Sequence, residues 1–363
     1  MASVATALYV NALSFCLLLG CHHISAQNVT AAPIKRGGGW GWKAVDVSGE
    51  LKAMPVLWWY NWGNYIPDPV AEATTAADSV DFVPMIYGDC CGIDDLPGSL
   101  PDTAKTLLGF NEPNHWQESG LYPAQAAQLW PKLQAAAQKR GLRLGSPAAA
   151  PCGANCIMSS PFEWWDQFFG NCTGCQIDFI NTHLYTCSPQ YLQWFLNDVY
   201  SRYGLPVWLS EFSCPNQNGT LARQLKYARA AFKVLDEDNN TERYAWFAPH
   251  VIGEFDWIGP TASLLEADAS PPQLTILGQL YVSSPSNQSA QVESQVAGAD
   301  ALSAEDMAAI TEALPVVSKT GSWIEACSPC LGASLSLLAG SELAHCRDCG
   351  LHDSAVGVRA SLS

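Results

Sequence analysis

Residues 106–113 read Thr106-Leu107-Leu108-Gly109-Phe110-Asn111-Glu112-Pro113, an apolar run that stops on an asparagine, a glutamate and a proline. Its length suits a strand buried on both faces. A carboxylate at the end of such a strand is costly to bury unless something uses its charge. A second stretch has the same form: Val207-Trp208-Leu209 runs into Ser210-Glu211-Phe212. A lone glutamate at a strand end is as readily a helix cap or a salt-bridge partner as a functional group. Two at equivalent ends of two strands point to a shared cleft.

Outward from these two, short apolar runs recur at 38–42, 56–61, 82–86, 143–146, 178–184 and 244–247. With 106–110 and 206–211 they make eight expected strands. Amphipathic stretches lie between them. The clearest is 123–140, with Pro123 at its start, Ala and Leu inside and Gly141 beyond its end. Further helices are expected over 70–77, 162–169, 191–203, 221–235 and 274–282. Strand–helix units repeated over about 250 residues predict an α/β fold, a (β/α)8 TIM barrel, with Glu112 and Glu211 closing strands four and seven. The alternative is an open doubly wound sheet. Against it, no Gly-x-Gly-x-x-Gly turn opens a helix, and Gly37-Gly38-Gly39 runs straight into Trp40. Barrel enzymes work at the C-terminal ends of their strands, where both glutamates fall.

Composition narrows the function. The 363 residues are 48% hydrophobic and 14% charged, with 14 Trp, 12 Tyr and 12 Phe, enough for a sizeable core and unlike a disordered chain. A net charge of −16 argues against nucleic acid and anionic membranes. It suits a neutral substrate.

Residues 1–26 read as a signal peptide, with an apolar core at 13–20 and a small residue, Ala26, at the cut. No Lys or Arg precedes the core. A disordered start is one alternative; a lipoprotein is another, since Leu18-Leu19-Gly20-Cys21 resembles a lipid-attachment site. No other stretch approaches the ~18 apolar residues of a membrane span. Of 14 Cys, eight lie from Cys90 to Cys214 and four in the tail, an even set that reads as disulfides in an exported chain. Cys152 with Cys156 and Cys172 with Cys175 are candidate short bridges. Glycosylation triplets occur at Asn28, Asn171, Asn218, Asn239 and Asn287. The expected location is secreted, extracellular or cell wall. The expected domains are the catalytic barrel at 27–283, a linker at 284–326 with a small helix over 303–314, and a Cys-rich tail at 327–363. In that tail Cys327, Cys330, Cys346 and Cys349 have four-Cys zinc spacing. After a signal peptide, two disulfides are the stronger reading.

The strand ends Asn111-Glu112-Pro113 and Ser210-Glu211-Phe212, taken with Trp58-Trp59-Tyr60-Asn61-Trp62, Phe82-Val83-Pro84-Met85, Gly145-Ser146-Pro147 and Asn181-Thr182-His183-Leu184-Tyr185, resemble clan A glycoside hydrolases. More narrowly the chain resembles glycoside hydrolase family 128, which contains secreted endo-β-1,3-glucanases, from about residue 35 to 281. The resemblance implies a retaining enzyme with Glu112 as acid/base and Glu211 as nucleophile. It implies that Asn111 bonds the sugar 2-hydroxyl, that His183 and Tyr185 line the cleft, with Tyr185 on Glu211, and that Trp246 floors the reacting sugar. Ordinary packing is the alternative for His183 and Tyr185.

The chemistry of the residues agrees. Glycoside hydrolysis needs one neutral carboxylic acid and one ionised carboxylate. Tyr185 is a fitting donor to an ionised Glu211, whose charge is expected to raise the pKa of Glu112 until glycosylation removes it. Sugar faces stack on aromatic rings. Trp58, Tyr60 and Trp62, near the end of strand two, are therefore candidate binding residues, as is Trp116 past strand four; alternation sends some of the first group into the core. Trp164 and Trp165 are expected to pack against the barrel, and Glu163 and Glu254 to be surface or loop acids. No cofactor or metal is required, and no histidine cluster stands out. The expected partner is β-1,3-glucan, met by a monomer. Two other readings stand beside a retaining endo-β-1,3-glucanase: a barrel that binds glucan without cutting it, and a clan A hydrolase of another β-glycan. The acid pair acts on an anomeric carbon common to all, so it does not separate these.

Overall fold

A computed structural model describes residues 35–283, apart from 42–45, 67–79, 90–92, 94–95, 216–218 and 252–256. The expected signal peptide, the helix at 70–77, Cys90, Cys91, Glu254, the triplets at Asn28, Asn218 and Asn287, the linker with its helix, and the tail cysteines lie outside the described residues.

Eight strands follow in order: β1 Arg36–Gly39, β2 Trp58–Tyr60, β3 Asp81–Phe82, β4 Thr106–Leu107, β5 Arg143–Leu144, β6 Ile180–Tyr185, β7 Val207–Ser213 and β8 Thr241–Trp246. Six form a sheet in the order β3-β2-β1-β8-β7-β6, and β4 pairs with β5. Every pairing is parallel. One parallel bridge on each side, Met85 with Leu108 and Gly145 with Phe179, joins the pair to the sheet. The circuit is that of a (β/α)8 barrel with two seams, both flanking β4–β5. The expected strands all occur, but β1 lies two residues earlier than its pattern indicated and β3, β4 and β5 are cut to two residues by these seams.

Seven helices lie among the described residues: α1 Val47–Ala53, α2 Leu96–Ser99, α3 Pro123–Arg140, α4 Pro161–Asn171, α5 Pro189–Tyr203, α6 Leu221–Glu237 and α7 Ile276–Val282. Local chemistry sets their bounds. Ser160, Ser188 and Thr220 each accept from the backbone N–H three residues on, satisfying a free donor at the helix start. Gly141 and Gly204 end α3 and α5 at φ +65°, a conformation that suits glycine. α3 turns Ala126, Trp130, Leu133 and Ala137 inward at helical spacing. No helix among the described residues is long and apolar enough to cross a membrane.

Two apolar zones result. Inside the barrel, Trp58, Tyr60, Val83, Met85, Leu108, Phe179, Trp208 and Ala245 fill the bore. Phe179 and Trp208 stack at 4.2 Å. Gly37 makes room for this plug, because a Cβ there would come within 2.2 Å of the Trp58 ring. The larger zone lies between strands and helices and includes Trp164 and Trp165, fully buried as expected, while Glu163 is exposed. At the start of β1, Arg36 is buried beside the rings of Phe232, Tyr244 and Tyr281. It pairs with Asp236 and donates to the carbonyls of Leu280, Tyr281 and Ser283. Disulfides join Cys152 to Cys156, Cys172 to Cys175 and Cys187 to Cys214. Asn171 and Asn239 are exposed.

Candidate active site

Glu112 and Glu211 meet at the C-terminal end of the barrel. Three side chains hold Glu211. Tyr185 OH donates to Oε2 at 2.5 Å, Trp62 Nε1 donates to Oε1 at 2.7 Å, and Tyr60 OH lies 3.1 Å from that same oxygen and 3.0 Å from the Ser210 carbonyl. Both carboxylate oxygens are thereby acceptors. Burial and the charge of Glu211 hold the Tyr60 and Tyr185 hydroxyls well above the ordinary tyrosine value, so they keep their protons and stay donors.

Glu112 is held differently. The fully buried His183 places Nδ1 2.7 Å from Glu112 Oε1 and 3.4 Å from Glu211 Oε2, with Nε2 3.1 Å from Ser210 Oγ. His115 Nδ1 is 3.4 Å from Glu112 Oε2. An irregularity in the β6–β7 register after Thr182 sets His183 opposite Glu211, the re-aiming that bulges beside active sites provide. Positive φ at a non-glycine residue carries strain and marks functional sites. Glu112 at +36° and Trp62 at +60° are two of three such residues described. Upstream, Gly109 permits the close approach that sets up this strand end. A Cβ there would lie 2.8 Å from Pro147 N and 2.9 Å from Ser146 C and O.

The sequence led us to expect Glu112 raised and Glu211 ionised. The structure runs the other way. Burial pushes Glu112 up, but the His183 hydrogen bond and the charges of His183 and His115 outweigh it, leaving Glu112 below its ordinary value. Burial, with the Glu112 charge, outweighs His183 and the donors at Glu211 and leaves it raised. The reason is the position of His183: it sits directly on Glu112, where the sequence reading had it merely lining the cleft.

Asn111 is buried beside Glu112; its Nδ2 donates to Glu118 Oε2 at 3.1 Å, and its Oδ1 has no protein partner. Trp58 and Trp246, both expected to meet substrate, are placed elsewhere. Trp58 belongs to the bore, with Nε1 on the Lys35 carbonyl. Trp246 faces outward against Phe212 and Phe232, with Nε1 on the Ala262 carbonyl. Strand alternation decides this: Ala245 turns into the bore, so its neighbour Trp246 turns out. Phe247 takes the place intended for Trp246, with its ring 5.8 Å from both Trp62 and Tyr185 and stacked on Trp257 at 6.2 Å. Trp116 is exposed on the loop after β4, edge-on to Tyr122 at 5.5 Å.

Sequence reasoning missed Tyr87, Glu118, Ser210, Phe247 and Trp257. Tyr87 and Glu118 follow strands three and four, so the strand-end rule was available for both. Trp257, in a loop, carried no such signal. The reading also found no histidine cluster, yet one ligand-type atom from each of Glu112, His183 and Glu211 lies within 4.8 Å of the others. Within the protein these atoms are already in hydrogen-bond reach of partners: His183 Nδ1 of Glu112 Oε1, and Tyr185 and Trp62 of Glu211.

Comparison with known proteins agrees with this geometry. The profile of the family described as glycosyl hydrolase catalytic core matches residues 37–281. Alkali-sensitive linkage protein 1 of Schizosaccharomyces pombe is 29% identical over 236 residues, 63% of this chain but only 40% of its own length. Among solved structures, a GH128 subgroup II endo-β-1,3-glucanase from Sorangium cellulosum is 35% identical at a TM-score of 0.62, covering 69% of this chain and 98% of its own. A subgroup I endo-β-1,3-glucanase from Amycolatopsis mediterranei, solved with laminaritriose, is 27% identical at a TM-score of 0.54, covering 68% and 98%. The chain belongs to the glycosyl hydrolase catalytic core family and, within it, to glycoside hydrolase family 128.

Proposed function

We propose that this protein is a secreted, retaining endo-β-1,3-glucanase, with Glu211 as nucleophile and Glu112 as acid/base. The observation that carries the reading is the pair of carboxylates joined through His183, one oxygen of each lying within 4.8 Å of the other. Retaining enzymes set their carboxyl groups about 5–5.5 Å apart, whereas inverting enzymes leave about 6.5–9.5 Å for a water. Two tyrosines and a tryptophan around Glu211 favour it as the anion. A protonated Glu211 has one oxygen that would face those donors with its own O–H. The substrate class is supported by the Sorangium and Amycolatopsis relatives, endo-β-1,3-glucanases by name. Export is supported by three disulfides, which persist in oxidising compartments.

In the reaction, a sugar entering the cleft displaces water and adds to the burial that already pushes Glu112 up, so Glu112 is protonated in the complex. A Glu211 oxygen attacks the anomeric carbon while the bond to the glycosidic oxygen breaks, and Glu112 gives its proton to that departing oxygen. The glycosyl ester leaves Glu211 uncharged. Glu112, now ionised, takes a proton from water; the water oxygen attacks the same carbon and Glu211 departs as carboxylate. Two inversions return the β configuration. Asn111 bonds the 2-hydroxyl of the reacting sugar, and Tyr60, Trp62, His183 and Tyr185 hold the carboxylates.

The test is turnover of laminarin and linear β-1,3-glucan by the purified protein, Glu112→Gln and Glu211→Ala, with products resolved by chromatography and their first-formed anomer read by NMR. Internal cleavage giving the β anomer, reduced at least about 10⁴-fold in Glu211→Ala, is expected. An α product would overturn the retaining mechanism. Binding without turnover would make the barrel a glucan-binding protein, and activity confined to mannan or xylan would move it to another β-glycan.

A further inference from the structure

The loop after β4 doubles back over the site. Backbone hydrogen bonds from Glu118 N to His115 O, from Ser119 N to Asn111 O and from Leu121 N to Pro113 O return the chain to Asn111. The return delivers a third carboxylate. Glu118 Oε2 accepts from Asn111 Nδ2 at 3.1 Å and from Tyr87 OH at 2.5 Å. Tyr87 stands on the loop after β3, and its carbonyl accepts from the Asn111 backbone N–H at 2.9 Å. Two loops thus grip one asparagine, and the Oδ1 of that asparagine is left buried with no protein donor. A buried acceptor in that state is stabilised by an incoming hydroxyl.

We propose that Glu118 is a positioning residue of this site: it fixes the orientation of the Asn111 carboxamide toward a sugar hydroxyl. The inference rests on the glycosidase reading above. The orienting role follows from donor and acceptor chemistry. A carboxylate accepts from the amide nitrogen and repels the amide oxygen, so it selects one of the two ways an asparagine can lie.

The experiment measures kcat and KM on linear β-1,3-glucan oligosaccharides across pH. It uses the full chain, Glu118→Gln, Glu118→Ala, Asn111→Ala and the Asn111→Ala/Glu118→Ala double variant. Glu118→Ala is expected to lower kcat about tenfold. Glu118→Gln, which keeps an acceptor for the Asn111 amide, is expected within about threefold of wild type. In the Asn111→Ala background the Glu118→Ala loss should vanish. Wild-type kcat in Glu118→Ala, a Glu118→Gln loss as large as that of Glu118→Ala, or an undiminished Glu118→Ala loss without Asn111 would each overturn the inference. A wild-type protein that cleaves no β-glycan removes the glycosidase reading and this inference together. An active wild type indifferent to Glu118 removes this inference alone.

Discussion

His183 occupies the point where two carboxylates would otherwise face each other across a buried gap. Its effect on both is the same in sign: the hydrogen bond and charge of His183 lower Glu112, and its charge lowers Glu211. His183→Ala removes that support, so burial and the mutual repulsion of the two glutamates are opposed only by His115 at Glu112 and by Tyr60, Trp62 and Tyr185 at Glu211. The acidic limb of kcat/KM, which reports an ionised nucleophile, should therefore move toward neutral pH by about one unit or more. A limb that stays in place would show that His183 does not govern the pair. At this scale the sequence revealed the two glutamates because a charged residue closing an apolar strand is conspicuous. It misassigned Trp58 and Trp246 because the phase of alternation cannot be read until one residue of each strand is known to face the bore. Ala245 supplies that phase for β8, and nothing in the residues 244–247 distinguishes it beforehand.

Elements differ in how firmly they are tied. β6, β7 and β8 run six or seven residues and carry Glu211, whereas β4 and β5 are two residues each and meet their other neighbours through single bridges. The eight runs were legible from apolar periodicity. The seams were not; at the one between β3 and β4, Pro84 has no N–H to give on the side where Ile86 N donates to Leu108 O. A second tie joins α1 to the loop after β8. Buried Glu50 accepts from Trp40 Nε1 at 2.7 Å and pairs with His250 Nδ1 at 3.2 Å, while His250 Nε2 sits 3.1 Å from the Glu266 carbonyl. The Glu50 hydrogen bond is the main cause that raises His250 above its ordinary 6.5, against partial burial. The folded state thus favours the protonated imidazole. This contribution is complete below about pH 6.5 and fades as pH rises through the raised folded value. His250→Gln should melt about 3 °C below wild type at pH 6, for about 1 kcal/mol in a pair whose imidazole is partly exposed, and the gap should close in alkali. A gap constant with pH, in melts followed by circular dichroism, would assign the loss to packing alone.

For the whole molecule, the fold class was legible because eight strand patterns alternate with helical ones, and two of the three disulfides because their cysteines lie three or four residues apart. Cys187–Cys214 was not, since its 27-residue separation spans α5 and all of β7 and only the pairing of β6 with β7 brings the ends together. It fastens the chain two residues past Tyr185 to the chain three past Glu211. Loop-closure entropy gives such a bridge about 3.5 kcal/mol. Replacing both cysteines with alanine should lower the melting temperature by about 10 °C, and calorimetry against wild type checks it.

The Arg36 contacts bear on how the protein is made. Its guanidinium belongs to the first strand, and the carbonyls it binds, on Leu280, Tyr281 and Ser283, belong to the last helix. A ribosome delivers these partners only after nearly 250 intervening residues have left the exit tunnel, and β1 waits as long for β8. The open edge of β1 therefore has to be shielded until β8 and the last helix have emerged. A premature stop anywhere ahead of residue 280 would release a chain whose two ends can never fasten, a substrate for quality control and proteolysis.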